Sequence, residues 1–133
     1  MIKMRILVTA IALMALAACQ SMPSSATGQK PMYGLITKIK AKPGQRGVLA
    51  PILLQASRAM PGCLSYVVAE DPADGDALWI TEVWDSVESH KASLNLDAVK
   101  TALQAGRPLI SGLGGRFETH PIGGFGTPLK QEH

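Results

Sequence analysis

Charge is scarce in this 133-residue chain: Asp, Glu, Lys and Arg supply 17% of residues, whereas 47% are hydrophobic. So low a charge with so much apolar surface excludes an intrinsically disordered chain, which needs the opposite balance. The length suits one compact domain and falls short of two. The formal net charge of +3 rests partly on Lys3 and Arg5, which lie in a leader segment. Without those two, 11 basic side chains face 10 acidic ones, a net charge of +1. Such a balance does not steer a protein to nucleic acid. Cysteine is nearly absent, and Cys19 with Cys63 allows one disulfide at most. No apolar run is long enough to span a bilayer, and there is no internal repeat or low-complexity segment. His90, His120 and His133 stand at no ligand spacing with one another or with the carboxylates, so no metal site is expected. Gly112, Gly114 and Gly115 precede a strand pattern, not a helix, and make no phosphate cradle.

What is present begins with a leader. Lys3 and Arg5 precede an apolar run from Ile6 to Leu16, interrupted by Thr9 and closed by Ala17, Ala18 and Cys19. That is the charged, hydrophobic and small-residue order of a signal peptide, residues 1–18. Leu16-Ala17-Ala18-Cys19 resembles the lipobox of bacterial lipoproteins, which implies that the Cys19 thiol is acylated and becomes the new N-terminus. More than one acyl chain gives stable anchoring, at roughly 0.8 kcal/mol per buried methylene. Gln20 follows the cysteine where inner-membrane lipoproteins often carry Asp, so the expected place is the cell envelope, on the periplasmic side of the outer membrane. An ordinary secretory signal would instead leave an exported soluble domain. Residues 19–31 then read as the lipidated cysteine and a flexible linker, residues 32–122 as the globular domain, and residues 123–133 as a Gly-rich polar tail.

Within the domain, Met32 to Ala41 reads as a strand covered on both sides, ended by Lys42-Pro43-Gly44. Val48, Leu49, Ile52, Leu53, Ala56 and Met60 recur at helical spacing. Pro51 predicts a regular helix only from near Leu49, and Pro61-Gly62 stops it. Cys63 to Glu70 and Leu78 to Trp84 form a hairpin around a polar turn, Asp71 to Asp76. Asp85-Ser86 caps a helix, with Glu88 at capping-box spacing from Asp85; the helix breaks near Asn95 and resumes at Asp97, the expected N-cap, until Gly106 and Pro108. A last strand runs from Leu113 or Gly115 to Ile122. The order strand, helix, strand, strand, helix, strand is the α+β, ferredoxin-like βαββαβ arrangement. Its second and third strands put apolar groups on both faces, Leu64, Tyr66 and Val68 alternating with Val67 and Ala69, and Leu78, Ile80 and Trp84 with Trp79 and Val83; the face that the helices leave open is therefore apolar, which predicts a two-fold homodimer.

The domain also resembles the antibiotic biosynthesis monooxygenase family, which includes proteins regarded as quinol monooxygenases. The residues that carry the likeness are Lys42-Pro43-Gly44, Pro61-Gly62-Cys63-Leu64-Ser65-Tyr66, Glu82-Val83-Trp84-Asp85-Ser86 and His90, in that order. The resemblance implies a dimeric α+β barrel with two sheets packed face to face. It also implies oxygen insertion into electron-rich aromatics or quinols without metal, flavin or other cofactor. Many relatives carry a His nine positions after the tryptophan; here that position is Ser93, and His90 stands one helical turn earlier. Haem-degrading relatives use an Asn on the first strand, and none occurs from Tyr33 to Ala41, which disfavours haem.

Triplet oxygen reacts with a closed-shell molecule only if the substrate supplies the electron, which a quinol does once deprotonated. The site then needs a base, an apolar enclosure and a donor to the oxygenated intermediate. His90 is the candidate base, with an ordinary pKa near neutrality; as plain structure it is a surface His on a helix. Tyr66, Glu82 and Trp84 share strand parity and so one side of the hairpin. Tyr66 is the candidate oxyanion donor and Trp84 the aromatic wall, and both also read as packed strand residues. Glu82 and Ser93 are substrate-binding candidates; Glu82 equally reads as half of an ion pair with Arg58 or Arg116. Cys63, left without a second thiol, is expected to be buried and inert.

The leading expectation is therefore a cofactor-independent monooxygenase for a quinol or phenolic small molecule, using molecular oxygen, anchored to a membrane and homodimeric. The alternative is a non-catalytic small-molecule-binding or structural envelope lipoprotein with the same barrel.

Overall fold

The computed structural model describes residues 30–126. The leader, Cys19, most of the linker and residues 127–133 lie outside the described residues, and so do the signal-peptide and lipidation expectations. In chain order come β1 (Tyr33–Ala41), α1 (Arg46–Ala56), β2 (Cys63–Glu70), β3 (Ala77–Trp84), α2 (Val87–Ser93), α3 (Asp97–Gly106), a 3-10 turn at Arg107–Leu109, and β4 (Ile110–Thr119). The strands make one antiparallel sheet in the order β2-β3-β1-β4. This is the ferredoxin-like α+β fold.

Cross-strand pairing lines residues into rows, and successive rows face opposite sides of the sheet. One side carries Tyr66–Glu82–Leu35–Glu118, next to Val68–Ile80–Thr37–Arg116, with Cys63–Trp84–Tyr33 beyond. The helices cover this side. Tyr33, Leu35 and Trp84 pack with Met60, Cys63 and Val87, while Ala41, Leu49 and Leu78 pack with Leu53, Val68, Leu109 and others. Thr37 lies along β1 between these two clusters. The opposite side carries the row Val67–Thr81–Ile36–Phe117, in which Val67 is 52% and Phe117 57% exposed. The apolar open face expected from the alternation is therefore present.

Several boundaries differ from expectation. Helix α1 starts at Arg46, three residues before Leu49, because the Val48 and Leu49 amides both reach the Gln45 carbonyl and close a first turn ahead of Pro51. Proline leaves the Gly47 carbonyl without its helical donor, but both residues are exposed, so water can replace it. The helix stops at Ala56 rather than running to Met60, with Ser57 donating its hydroxyl back to the Leu54 carbonyl at 2.9 Å. Of the expected capping pair Asp85-Ser86, Ser86 is the N-cap of α2: its oxygen accepts the Ser89 amide at 3.2 Å while Asp85 accepts the Ser86 hydroxyl. Leu96, not Asp97, is the N-cap of α3. Finally β4 begins at Ile110 and ends at Thr119, earlier than expected at both ends. The 3-10 turn delivers Ile110 opposite Ala41, and two register shifts absorb the glycine-rich stretch. A side chain at Gly114 would meet the Lys38 stem at 2.8 Å.

Among the described residues no helix is long and apolar enough to cross a membrane.

Candidate functional site

The helix-covered side gathers most of the residues that the sequence singled out. Cross-strand pairing sets Tyr66 directly beside Glu82, and Trp84 follows Glu82 two residues on. Helix α2 leaves β3 through Asp85 and Ser86, and its first turn returns His90 over the sheet. Gly62 makes this approach possible: a side chain there would meet Ser89 at 2.5 Å, and its φ of 81° suits glycine.

The buried imidazole of His90 lies between two aromatic rings. Its centroid is 5.1 Å from that of Tyr33 and 5.4 Å from that of Trp84, the latter edge-on. Nε2 of His90 is 3.9 Å from Oε2 of Glu82, and that same oxygen accepts the Trp84 indole N–H at 2.9 Å. Among the described residues neither ring nitrogen of His90 has a hydrogen-bond partner. On the far side of Tyr33, its hydroxyl donates to Oε1 of Glu118 at 3.0 Å.

Burial governs the protonation of this cluster. It pushes the Glu82 carboxyl above its ordinary value, against the Trp84 hydrogen bond and the Arg116 charge, which pull it down. It holds the His90 imidazole below its ordinary value, with Arg116 and Lys91 acting in the same direction and Glu118 opposing. The imidazole is thus neutral at pH 7 and able to accept a proton. Burial, reinforced by Glu82 and Cys63, pushes the Tyr66 hydroxyl far up, so it remains a donor at any physiological pH. The Cys63 thiol is raised by burial and by Glu82, which suppresses the nucleophilic thiolate.

The other candidates fall out unequally. Trp84 is almost fully buried, with its N–H spent on Glu82 and its ring on His90. Ser93 is buried too, but its hydroxyl donates to the His90 carbonyl at 2.7 Å, away from the ring cluster. Of the two arginines weighed for Glu82, Arg116 is the one whose charge reaches it; Arg58 lies beside Pro51, Leu54 and Gln55. Sequence reading missed Tyr33 and Thr37. Strand parity was the available signal for both, but β1 reads as apolar on each side. Thr37 Oγ1 is buried and has no hydrogen-bond partner among the described residues.

A cavity of about 260 Å³ opens elsewhere, between α1 and α3, lined by Ile52, Gln55, Ala56, Ala98, Thr101, Ala102 and Ala105. Among the described residues no group of His, Cys, Asp or Glu is placed to hold a metal ion.

No protein of curated function matches the chain. Among solved structures, one from Chloroflexus aurantiacus J-10-fl, provisionally named an antibiotic biosynthesis monooxygenase, is 61% identical. The match covers 73% of this chain and 99% of that one, with a TM-score of 0.71. A Deinococcus radiodurans structure of the same provisional name is 26% identical over 70% of this chain and 95% of its own, TM-score 0.59. A Pseudomonas aeruginosa structure at 20% identity, covering 71% and 98% with a TM-score of 0.63, shares the fold. Residues 32–105 match the sequence profile described as antibiotic biosynthesis monooxygenase. That match runs from the start of β1 into the last turn of α3 and includes Tyr33, Glu82, Trp84 and His90, and the chain belongs to the antibiotic biosynthesis monooxygenase family.

Proposed function

We propose that this protein oxidises a quinol or phenolic small molecule with molecular oxygen, and that His90 is the base that starts the reaction. The supporting observation is the His90 imidazole itself: neutral, held between Tyr33 and Trp84, with a carboxyl group at 3.9 Å and no ring nitrogen engaged. Removal of the phenolic proton raises the electron density of the ring, which then passes an electron to oxygen. One oxygen atom enters the ring and the other leaves as water, so that a phenol becomes its quinone. Tyr66, kept protonated, donates to the oxygenated intermediate. No metal or flavin takes part in this scheme.

In the same reading a second copy of the chain covers the Val67–Thr81–Ile36–Phe117 row, and acylated Cys19 tethers the dimer to the outer membrane, where quinones are close at hand. The test is oxygen uptake by the purified protein across a panel of quinols and phenols. Uptake that disappears in His90→Ala supports the assignment, whereas a panel without any turnover rejects it. The cavity between α1 and α3 favours a second reading, a small-molecule binder without chemistry; phenol binding without oxygen uptake would select it.

A further inference from the structure

We propose that Glu82 is the positioning residue for His90, holding its carboxylate where the imidazolium forms rather than contacting substrate. The inference rests on reading His90 as the base. Three observations carry it. Oε2 of Glu82 faces Nε2 of His90 at 3.9 Å, and both side chains are nearly buried, 12% and 11% exposed. The Trp84 indole N–H donates to that same oxygen at 2.9 Å and so holds it toward the imidazole. The Trp84 ring meanwhile bears on the imidazole edge, so one side chain sets the position of both partners.

In the step this arrangement serves, a substrate hydroxyl gives its proton to a free ring nitrogen of His90, and the bonding pair stays on the substrate oxygen. The new positive charge then faces Glu82, much as an acidic residue supports the histidine of a hydrolase triad. The other groups around the ring are Arg116 and Glu118 from β4, Lys91 from its own helix, and the Tyr33 hydroxyl from β1. Arg116 opposes the imidazolium and Glu118 favours it; among the described residues only Glu82 lies within ion-pair distance.

The test is an NMR titration of the His90 ring in the full-length chain in detergent, its signals assigned by their loss in His90→Gln. Even at the screening of bulk water, unit charges about 4 Å apart change proton affinity about fivefold. Glu82→Gln is therefore expected to lower the proton-binding constant of His90 at least about fivefold. Glu82→Asp, which keeps the charge but withdraws it by one methylene, is expected to shift it less in the same direction and remains decisive if the Gln variant does not fold. An unchanged His90 titration in the folded variants would overturn the proposal. Where oxygen uptake is measurable, the acid limb of its pH profile moves to lower pH in Glu82→Gln with the titration. The titration needs no turnover, so a shifted curve in a protein that consumes no oxygen keeps the pair and discards the proposed reaction.

Discussion

Trp84 donates its indole N–H to Glu82, two residues back on the same side of β3, at 2.9 Å. Neighbours two apart on a strand lie on one face, and this bond uses that geometry to turn the only polar atom of a buried ring toward the carboxyl group beside His90. Replacing Trp84 by Phe leaves an aromatic ring and removes the donor. The expected result is a further rise of the Glu82 pKa, because the hydrogen bond now stabilises the charged form, and a loss of about 1–3 kcal/mol of stability from the bond and the vacated volume. Carboxyl chemical shifts against pH and urea unfolding measure the two effects.

His90→Ala is expected to reduce oxygen uptake by about 10²–10⁴-fold, the usual contribution of a positioned base. Ser93→Ala removes a hydroxyl bonded to a backbone carbonyl and should cost less than about tenfold. Equal losses in both variants would place the chemistry elsewhere.

Thr37→Val should stabilise the protein. The hydroxyl of Thr37 is buried without a partner, and such a group costs about 1–3 kcal/mol, whereas valine has nearly the same shape. A higher urea midpoint with an unchanged slope is the expected outcome; a lower midpoint would mean that the hydroxyl is bonded after all.

Acid stability should depend on Asp71. This buried carboxylate accepts from Lys38 at 2.6 Å, from the Trp79 indole at 3.0 Å and from the Ala73 amide at 2.8 Å. The Lys38 bond first, then the Ala73 and Trp79 bonds, bring its pKa down to about 2. A depressed folded value means that the unfolded chain binds the proton more readily, so the stabilisation is complete above about pH 4 and disappears as pH falls toward 2. In Asp71→Asn the pH dependence of the unfolding midpoint over that window should flatten.

Self-association should run through the open face. Val67→Asp and Phe117→Asp put charge into the exposed row without touching the helix-covered core, and each is expected to weaken a dimer by about 2 kcal/mol or more per buried copy. Sedimentation of the wild type as a dimer and of the variants as monomers is the expected pattern. A wild-type monomer would remove the second copy from the proposed function.

The order of the elements was legible in the chain because each local signal agrees with the global fold. Alternation marked the β2–β3 hairpin to within one residue, and it put Tyr66, Glu82 and Trp84 on one side because a strand allows only two. Boundaries were less legible wherever a backbone choice depended on something distant. Pro51 looked like a helix start, but its missing donor costs little at a solvated surface. The glycines near the start of β4 placed its beginning at Leu113 or Gly115, but pairing with β1 accommodates them through two register shifts and the strand starts at Ile110.

Sequence alone thus determined the strand parity, the helix–strand order and the apolar open face, since these follow from side-chain period and burial. It could not determine that Tyr33, 57 residues before His90, would lie tilted against its ring, or that Arg116 rather than Arg58 would bear on Glu82. Nor could it show Thr37 left without a partner. Those outcomes depend on how β1 and β4 pair and on where the short α2 comes to rest over the sheet. Contacts between residues far apart in the chain exist only after the sheet has brought them within a few ångströms.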